Sequence, residues 1–247
     1  MTQAVVQSGV NAWAGGAAAI AVTLNGCVQN NYLEVRIGVW GGTIQPNCTI
    51  SDGTHTYALA ARAQELSNTF DRSNAEVHYV KVSANGNYTV TVTHPSGTAS
   101  ERYGTIWVGE ISGRDGTSPL NSGASGTATG SSTTPSVTGA GSTTDANSLR
   151  VGAVAISNSD TTAGVDAATG NSLSWTNRSL GQDGTQEAYS FDDAPATANS
   201  TPTVSWGTLD ATATWAAVVV AFKDAVGGGG GGADGTAEVY NLFTVVA

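Results

Sequence analysis

The sequence predicts an all-β protein, folded as an antiparallel β-sandwich with jelly-roll-like connections. Apolar and polar residues alternate with a period of two along most segments, as they do in strands with one buried face. Glycine, proline, asparagine and aspartate cluster between these segments, where turns need them. The sequence has no heptad pattern and no solenoid repeat of about 20–50 residues. These features favour antiparallel strands packed in two sheets.

The segments of the first half carry strand patterns of different strength. In 32–40 (YLEVRIGVW) the four residues at odd positions are apolar, which predicts a strand with one buried face. Segment 104–112 is mixed, and weaker strands are expected at 17–24 and 54–61. Segment 58–66 (ALAARAQEL) is the one stretch whose composition also suits a short helical turn, and both readings stay open.

A β-hairpin is predicted from 77–82 (VHYVKV) and 87–94 (NYTVTVTH). The dipeptide Asn85-Gly86 lies between them and is a strong turn signal. The second strand alternates Tyr, Val and Val with threonines, so that one of its faces is apolar. We therefore expect the two segments to pair with each other.

The second half begins with a small-residue stretch and continues with two strongly apolar strands. Of the 32 residues in 117–148, 25 are Gly, Ser, Thr or Ala, which favours a long surface loop with a short strand near Pro135–Thr138 over a flexible linker. Segments 148–157 and 213–223 are apolar on both faces, which predicts central strands covered on each side. Weaker strands are expected at 171–176, 186–192 and 202–206.

Charge and composition exclude several function classes. Only 11% of the residues are charged and the net charge is −10, which disfavours binding to nucleic acid or to an anionic membrane surface. The first residues lack the basic region and long apolar region of a signal peptide, so we expect assembly in a cytoplasm. Cys27 and Cys48 flank the strand 32–40 and are expected to be two free thiols.

The sequence offers little sign of catalysis, and we expect no enzyme activity, no cofactor and no metal. His55, His78 and His94 stand outside any zinc-ligand spacing, and no nucleophile elbow or phosphate loop is present. Glu101 and Glu110 are the best pair of acids for glycoside hydrolysis, but no array of acids accompanies them. The six tryptophans are interpreted as core residues rather than as a platform for sugars.

The C-terminal segment carries the strongest assembly signal. Six consecutive glycines precede 236–247 (TAEVYNLFTVVA), which is apolar on both faces of a strand. We expect an N-terminal arm (1–16), a sandwich domain (17–226), a glycine-rich linker (227–235) and a docking strand (236–247). The strand can fold back onto its own sandwich, or it can reach a neighbouring copy or a partner surface and add to a sheet there. The expected docking residues are Val239, Tyr240, Leu242, Phe243 and Val245.

Three segments, VHYVKVSANGNYTVTVTH, TIWVGEISG and the closing TATWAAVVVAFK, carry a resemblance to known proteins. Through them, residues 17–223 resemble a diffuse group of jelly-roll-like β-sandwich modules in bacteriophage virion proteins and some bacterial surface proteins. It implies a virion structural protein assembled in the host cytoplasm, of the capsid decoration or cement type. Its implied partners are the major capsid protein or other virion proteins, and further copies of itself in a homo-oligomer. The alternative is a carbohydrate-binding or adhesive module of a tail or head fibre.

Overall fold

Fifteen β-strands lie in the part of the chain that the computed structural model describes. These residues are 2–41, 47–66, 72–96, 98–145, 147–157, 168–183, 187–197, 199–207, 209 and 212–225. The strands are β1 (Ala4–Ala14), β2 (Ala19–Cys27), β3 (Tyr32–Gly41), β4 (Thr49–Ser51), β5 (Ala58–Glu65), β6 (Arg72–Lys81), β7 (Gly86–Thr93), β8 (Tyr103–Ser112), β9 (Gly126–Ser132), β10 (Ser136–Thr138), β11 (Ser148–Ser157), β12 (Thr176–Asp183), β13 (Glu187–Ala196), β14 (Thr203–Ser205) and β15 (Ala213–Lys223). Within these ranges, no helix is long and apolar enough to traverse a bilayer.

The first eight strands form a jelly roll, which we call the first roll. One sheet has the order β1-β8-β3-β6-β5, and the other has the order β2-β7-β4. All of their pairings are antiparallel. A jelly roll places its first, eighth, third and sixth strands in one sheet and the second, seventh and fourth in the other. The first roll departs from this order only in β5, which pairs at the edge of the first sheet.

The remaining seven strands repeat the same topology and form the second roll. Its sheets have the orders β12-β13-β11-β15-β9 and β10-β14. Strands β9, β10 and β11 correspond to β1, β2 and β3, and strands β12 to β15 correspond to β5 to β8. With these correspondences the strand orders of the two rolls agree, except that no described strand corresponds to β4. An isolated antiparallel bridge between Thr169 and Ser205 of β14 stands where β4 pairs with β7. The described chain is therefore a tandem pair of antiparallel β-sandwiches.

A β-bulge occurs at the same place in both rolls. In β5 the pairing with β6 shifts between Leu59 and Ala61, and in β12 the pairing with β13 shifts between Asn177 and Ser179. Each bulge follows the second residue of an eight-residue edge strand. The shared irregularity supports a structural repeat, because bulges are specific local features.

The sheets stack as four layers with three apolar cores between them. Leu33, Val35, Ile37 and Val39 of β3 pack against β2 and β7 in the core of the first roll, as the alternation predicts. A second core, the central interface, joins the two five-stranded sheets and contains Val77, Trp107, Val151, Val218 and Phe222 among others. A third core lies between the second roll's large sheet and β10-β14, around Val154, Ile156 and Trp206. Strands β11 and β15 are adjacent, central and buried along nearly all of their length, which confirms that prediction.

The predicted hairpin of 77–82 and 87–94 is wrong. Strand β6 pairs with β3 and β5, whereas β7 pairs with β2 and β4 in the other sheet of the first roll. The chain bends at Ala84 and Asn85, but this bend carries it from one sheet to the other. Residues Arg72 to His78 of β6 are all buried, because this strand is covered on both faces.

Other segments differ from expectation in smaller ways. Residues 58–65 form β5, so the described chain has no helical turn there. Residues 4–14 form β1 in a sheet of the first roll, although 1–16 was expected to be a separate arm. The stretch 117–148 contains β10 at the expected place and also β9, which pairs with β15. The expected sandwich domain, 17–226, spans both rolls. The linker (227–235) and the docking strand (236–247) lie outside the described residues.

Candidate functional site

The docking residues expected from the sequence cannot be placed on this fold. Val239, Tyr240, Leu242, Phe243 and Val245 all lie outside the described residues. The described residues instead offer three features that bear on function: a sheet edge, a buried charged network and a loop cluster.

Strand β1 forms an uncharged edge of the first roll. It pairs with β8 on one side, and no described strand pairs with its other side. Its eleven residues, AVVQSGVNAWA, include no charge and no proline. Val6 and Val10 are 53% and 47% exposed on it. Edge strands normally carry charge, proline, short length or a β-bulge as protection against pairing with other chains, and of these β1 has only a bulge, between Val5 and Gln7.

The other edges of the two large sheets are better protected. Strand β5 carries Arg62 and Glu65, and β12 carries Arg178. Strand β9 is uncharged, but it is shorter and consists only of Gly, Thr, Ala and Ser. Among the described edges of these two sheets, β1 is therefore the best acceptor for an added strand.

A buried network of charges crosses the central interface. The guanidinium of Arg36 donates from Nε to Oε1 of Glu34 at 2.7 Å and from Nη2 to Oδ2 of Asp193 at 2.9 Å. Arg114 donates from Nη2 to the other oxygen of Glu34 at 2.6 Å. Asp193 also accepts two hydrogen bonds from Arg178, whose side chain is 28% exposed. Burial alone would raise the pKa of Asp193, but Arg36 and Arg178 lower it, so Asp193 is ionised near neutral pH.

Aromatic rings complete this network. The Arg36 guanidinium lies 4.3 Å from the ring centroid of Trp107, and that of Arg114 lies 3.6 Å from the ring centroid of Phe222. The ring of Trp107 packs against the backbone at Gly109, where a Cβ atom would collide with the Trp107 ring. These contacts fix the orientation of the two rolls, because each cation has partners in both of them.

Two loops at one end of the first roll bring together a serine, a histidine and an aspartate. Nδ1 of His55 lies 2.7 Å from Oδ2 of Asp52, and Nε2 lies 2.9 Å from Oγ of Ser83. The side chains of Asp52 and His55 are 0% and 5% exposed, whereas Ser83 is exposed. No sequence pattern indicates this cluster, because Ser83 is 28 residues from His55 and belongs to no nucleophile motif.

The aspartate and histidine of this cluster are held firmly. Oδ1 of Asp52 accepts the backbone N–H groups of Thr54 and His55, and Oδ2 also accepts the hydroxyl of Tyr57 at 3.0 Å. Burial alone would raise the pKa of Asp52, but these hydrogen bonds lower it. The His55 ring packs on Tyr88 with a centroid distance of 5.0 Å.

The acids chosen for glycoside hydrolysis are not brought together. Glu101 lies just before β8 and Glu110 near its end, so about 20 Å or more of strand separates them. Hydrolytic pairs need a separation of roughly 5–10 Å. Glu110 instead accepts hydrogen bonds from Gln7, from the Val28 N–H and from Asn31, which fasten β1 and a loop to β8.

The remaining candidate residues have structural surroundings. Trp13, Trp107, Trp206 and Trp215 are buried in the three cores, and Trp40 and Trp175 are partly buried. His78 and His94 are buried rather than exposed on their strands. Cys27 and Cys48 are free thiols in the core of the first roll, as expected. Within the described ranges, no group of His, Cys, Asp and Glu residues is arranged to hold a metal ion.

No known protein family, curated protein sequence or solved structure matches this chain.

Proposed function

We propose that this chain is a structural protein of a virion, which decorates or cements a capsid by docking on the capsid or on neighbouring copies. The observation that carries the proposal is the uncharged edge of β1 on a rigid pair of jelly rolls. Both large sheets are covered on each face, so the described body offers edges and loops rather than a deep cleft. Such a body suits assembly by strand addition.

The C-terminal sequence supplies a strand that fits such an edge. It is apolar on both faces and follows six glycines, which can span about 12–15 Å as a flexible linker. In the proposed assembly, this segment of one copy pairs with β1 of the next copy or with a sheet of the capsid protein. Exposed Val6 and Val10 would then be covered by its alternate side chains. The carbohydrate-binding alternative has less support, because four of the six tryptophans are buried.

The experiment compares the full chain with a chain that ends at Val226. Light scattering after size exclusion measures self-association, and sedimentation with empty capsid shells measures docking. We expect the truncated chain to keep its melting temperature to within about 2 °C and to lose both associations. A truncated chain that melts much lower and still associates would show that the tail completes its own fold.

A charge on β1 tests the acceptor edge separately. Val10→Lys places a cation on the exposed edge, and we expect it to abolish pairing between copies without a change in stability. Val28→Lys is the matched control, because Val28 is 51% exposed but lies outside the strands. Equal association of both variants would exclude β1 as the acceptor.

A further inference from the structure

We infer that Asp52, His55 and Ser83 form a catalytic triad that transfers acyl groups from carboxylic esters to water. The inference does not rest on the assembly role proposed above. A triad is recognised by geometry and by the role of each residue, not by the order of the residues along the chain. Both hydrogen bonds that a triad requires are present, at 2.7 Å and 2.9 Å.

The contacts of the imidazole fix the tautomer that a general base needs. The backbone N–H of Ser83 donates to Nε2 of His55 at 3.2 Å, so Nε2 must carry a lone pair. The ring proton is then on Nδ1, where it is donated to Asp52. In this tautomer, Nε2 can accept the proton of the Ser83 hydroxyl.

In the second roll, the two loops that correspond to those of Asp52 and Ser83 are held together without a residue that can act as a general base. Its corresponding loops are joined by Arg150, which donates to Oδ1 of Asn171 at 2.8 Å and to Oγ of Ser200 at 2.6 Å. An amide and a guanidinium cannot accept a proton from serine at neutral pH. The second roll thus joins its loops with residues that cannot act as a general base. The first roll joins the corresponding loops with a carboxylate, an imidazole and an exposed hydroxyl.

The surroundings leave room for a substrate. Ser83 is exposed to solvent, so that a substrate can reach its hydroxyl directly. Tyr57, which supports Asp52, lines an open depression of about 400 Å³ with Asn47, Cys48, Thr49, Ile50 and His78, but Asp52, His55 and Ser83 are not among its lining residues. An open site of this kind suits small acyl esters displayed on a polymer or a surface.

The reaction proceeds in two balanced steps. Oγ of Ser83 bonds to the ester carbonyl carbon while His55 takes the hydroxyl proton, and His55 returns that proton to the departing alcohol as the C–O bond breaks. Water then attacks the acyl-serine with His55 as the base, and the carboxylic acid leaves as Ser83 regains its proton. The net change is hydrolysis of one ester by one water.

The test uses a fluorophosphonate probe on the full chain. Attack by Ser83 forms a P–O bond and expels fluoride, and mass spectrometry of peptides locates the adduct. We expect time-dependent labelling at Ser83, with none there in Ser83→Ala and a rate about 100-fold or more lower in His55→Gln. Hydrolysis of p-nitrophenyl acetate should fall in parallel.

Two controls make the result decisive. Ser200→Ala removes the corresponding hydroxyl of the second roll and should change neither labelling nor hydrolysis. Ser83→Ala keeps the backbone N–H that donates to His55, so its fold should persist, and its melting curve verifies this. A folded wild-type chain that acquires no adduct at Ser83 would overturn the proposal. Labelling at an equal rate in folded His55→Gln would overturn it as well, since the serine would then react without its base.

Discussion

The two rolls share one strand order but close their outer layers differently. The outer sheet of the first roll has three strands, of which β2 and β7 contain nine and eight residues. The outer layer of the second roll has only β10 and β14, with three residues each. Large side chains from loops, Trp206 and Leu209 among them, cover the third core instead. The two rolls therefore keep the same strand order although long paired strands cover the large sheet of the first roll and loop side chains cover much of that of the second.

The largest expected effect comes from breaking the network that joins the rolls. Arg36→Ala leaves the buried carboxylates of Glu34 and Asp193 without their shared cation, which should cost about 3–5 kcal/mol of unfolding free energy. Urea titration measures this loss. Arg178→Ala is the control, because that side chain is 28% exposed, and it should cost much less. Equal losses in the two variants would contradict the assigned role of the interface.

A pair of core substitutions compares the two outer layers directly. Ile37 and Ile156 are fully buried beneath the outer layer of the first and the second roll. Ile→Ala in a core costs about 2–5 kcal/mol, and the cost is smaller where the surroundings can collapse into the cavity. We expect Ile37→Ala to lie near the upper end and Ile156→Ala near the lower end, as measured by urea titration. The reverse order would mean that the loop-covered core is the more rigid one.

Acid should destabilise the protein through His94 of the first roll. Burial lowers the pKa of His94 from 6.5 to about 4. The unfolded chain therefore binds a proton more readily, and stability is lost as the pH falls from about 6.5 to 4. Urea titration over this range should show the loss, and His94→Gln should reduce it. An unchanged slope in this variant would assign the loss to other groups.

Glu76 should act in a separate and lower pH window. Burial alone would raise its pKa, but hydrogen bonds from His78 and Arg62 lower it from 4.5 to about 2. Its contribution to stability is present above pH 4.5 and is lost as the pH falls towards 2. We expect Glu76→Gln to flatten the stability profile only below pH 4.5. A change confined to higher pH would contradict this assignment.

The smallest expected effect concerns the reactivity of the Cys27 thiol in the first roll. Burial and the neighbouring carboxylate of Glu110 raise the pKa of Cys27 to about 11. The thiolate is therefore scarce near pH 8, and we expect iodoacetamide to modify Cys27 only after the chain unfolds. Peptide mass spectrometry with and without urea measures the difference. Rapid modification of the native chain would show that the first roll opens locally.

The sequence predicted the fold class and most strands, and it failed where pairing depends on distant partners. Alternation in β3 and the doubly apolar β11 and β15 carried enough information to place them correctly. Asn85-Gly86 indicated a turn, but a local signal cannot determine whether the two flanking strands share a sheet. The chain crosses to the other sheet after β6 because β6 is buried on both faces, and the second roll covers one of those faces.

Neither the structural repeat of the two rolls nor the loop cluster of Asp52, His55 and Ser83 could be predicted from the sequence, for related reasons. Leu33-Glu34-Val35 and Leu149-Arg150-Val151 look alike, yet Leu33 faces the outer sheet and Leu149 faces the central interface. A shift of one residue reverses the faces of a strand, so the similar letters do not align with the structural repeat. Asp52, His55 and Ser83 meet only because the jelly roll places two loops at one end.

Calorimetry of the intact chain tests most directly whether the two rolls form one cooperative body. The shared apolar core and the buried charges predict a single transition, with equal calorimetric and van't Hoff enthalpies. In Arg36→Ala the same scan should broaden or divide. Two separate transitions in the unmodified chain, or a calorimetric enthalpy about twice the van't Hoff value, would show that the rolls unfold independently and would contradict the account.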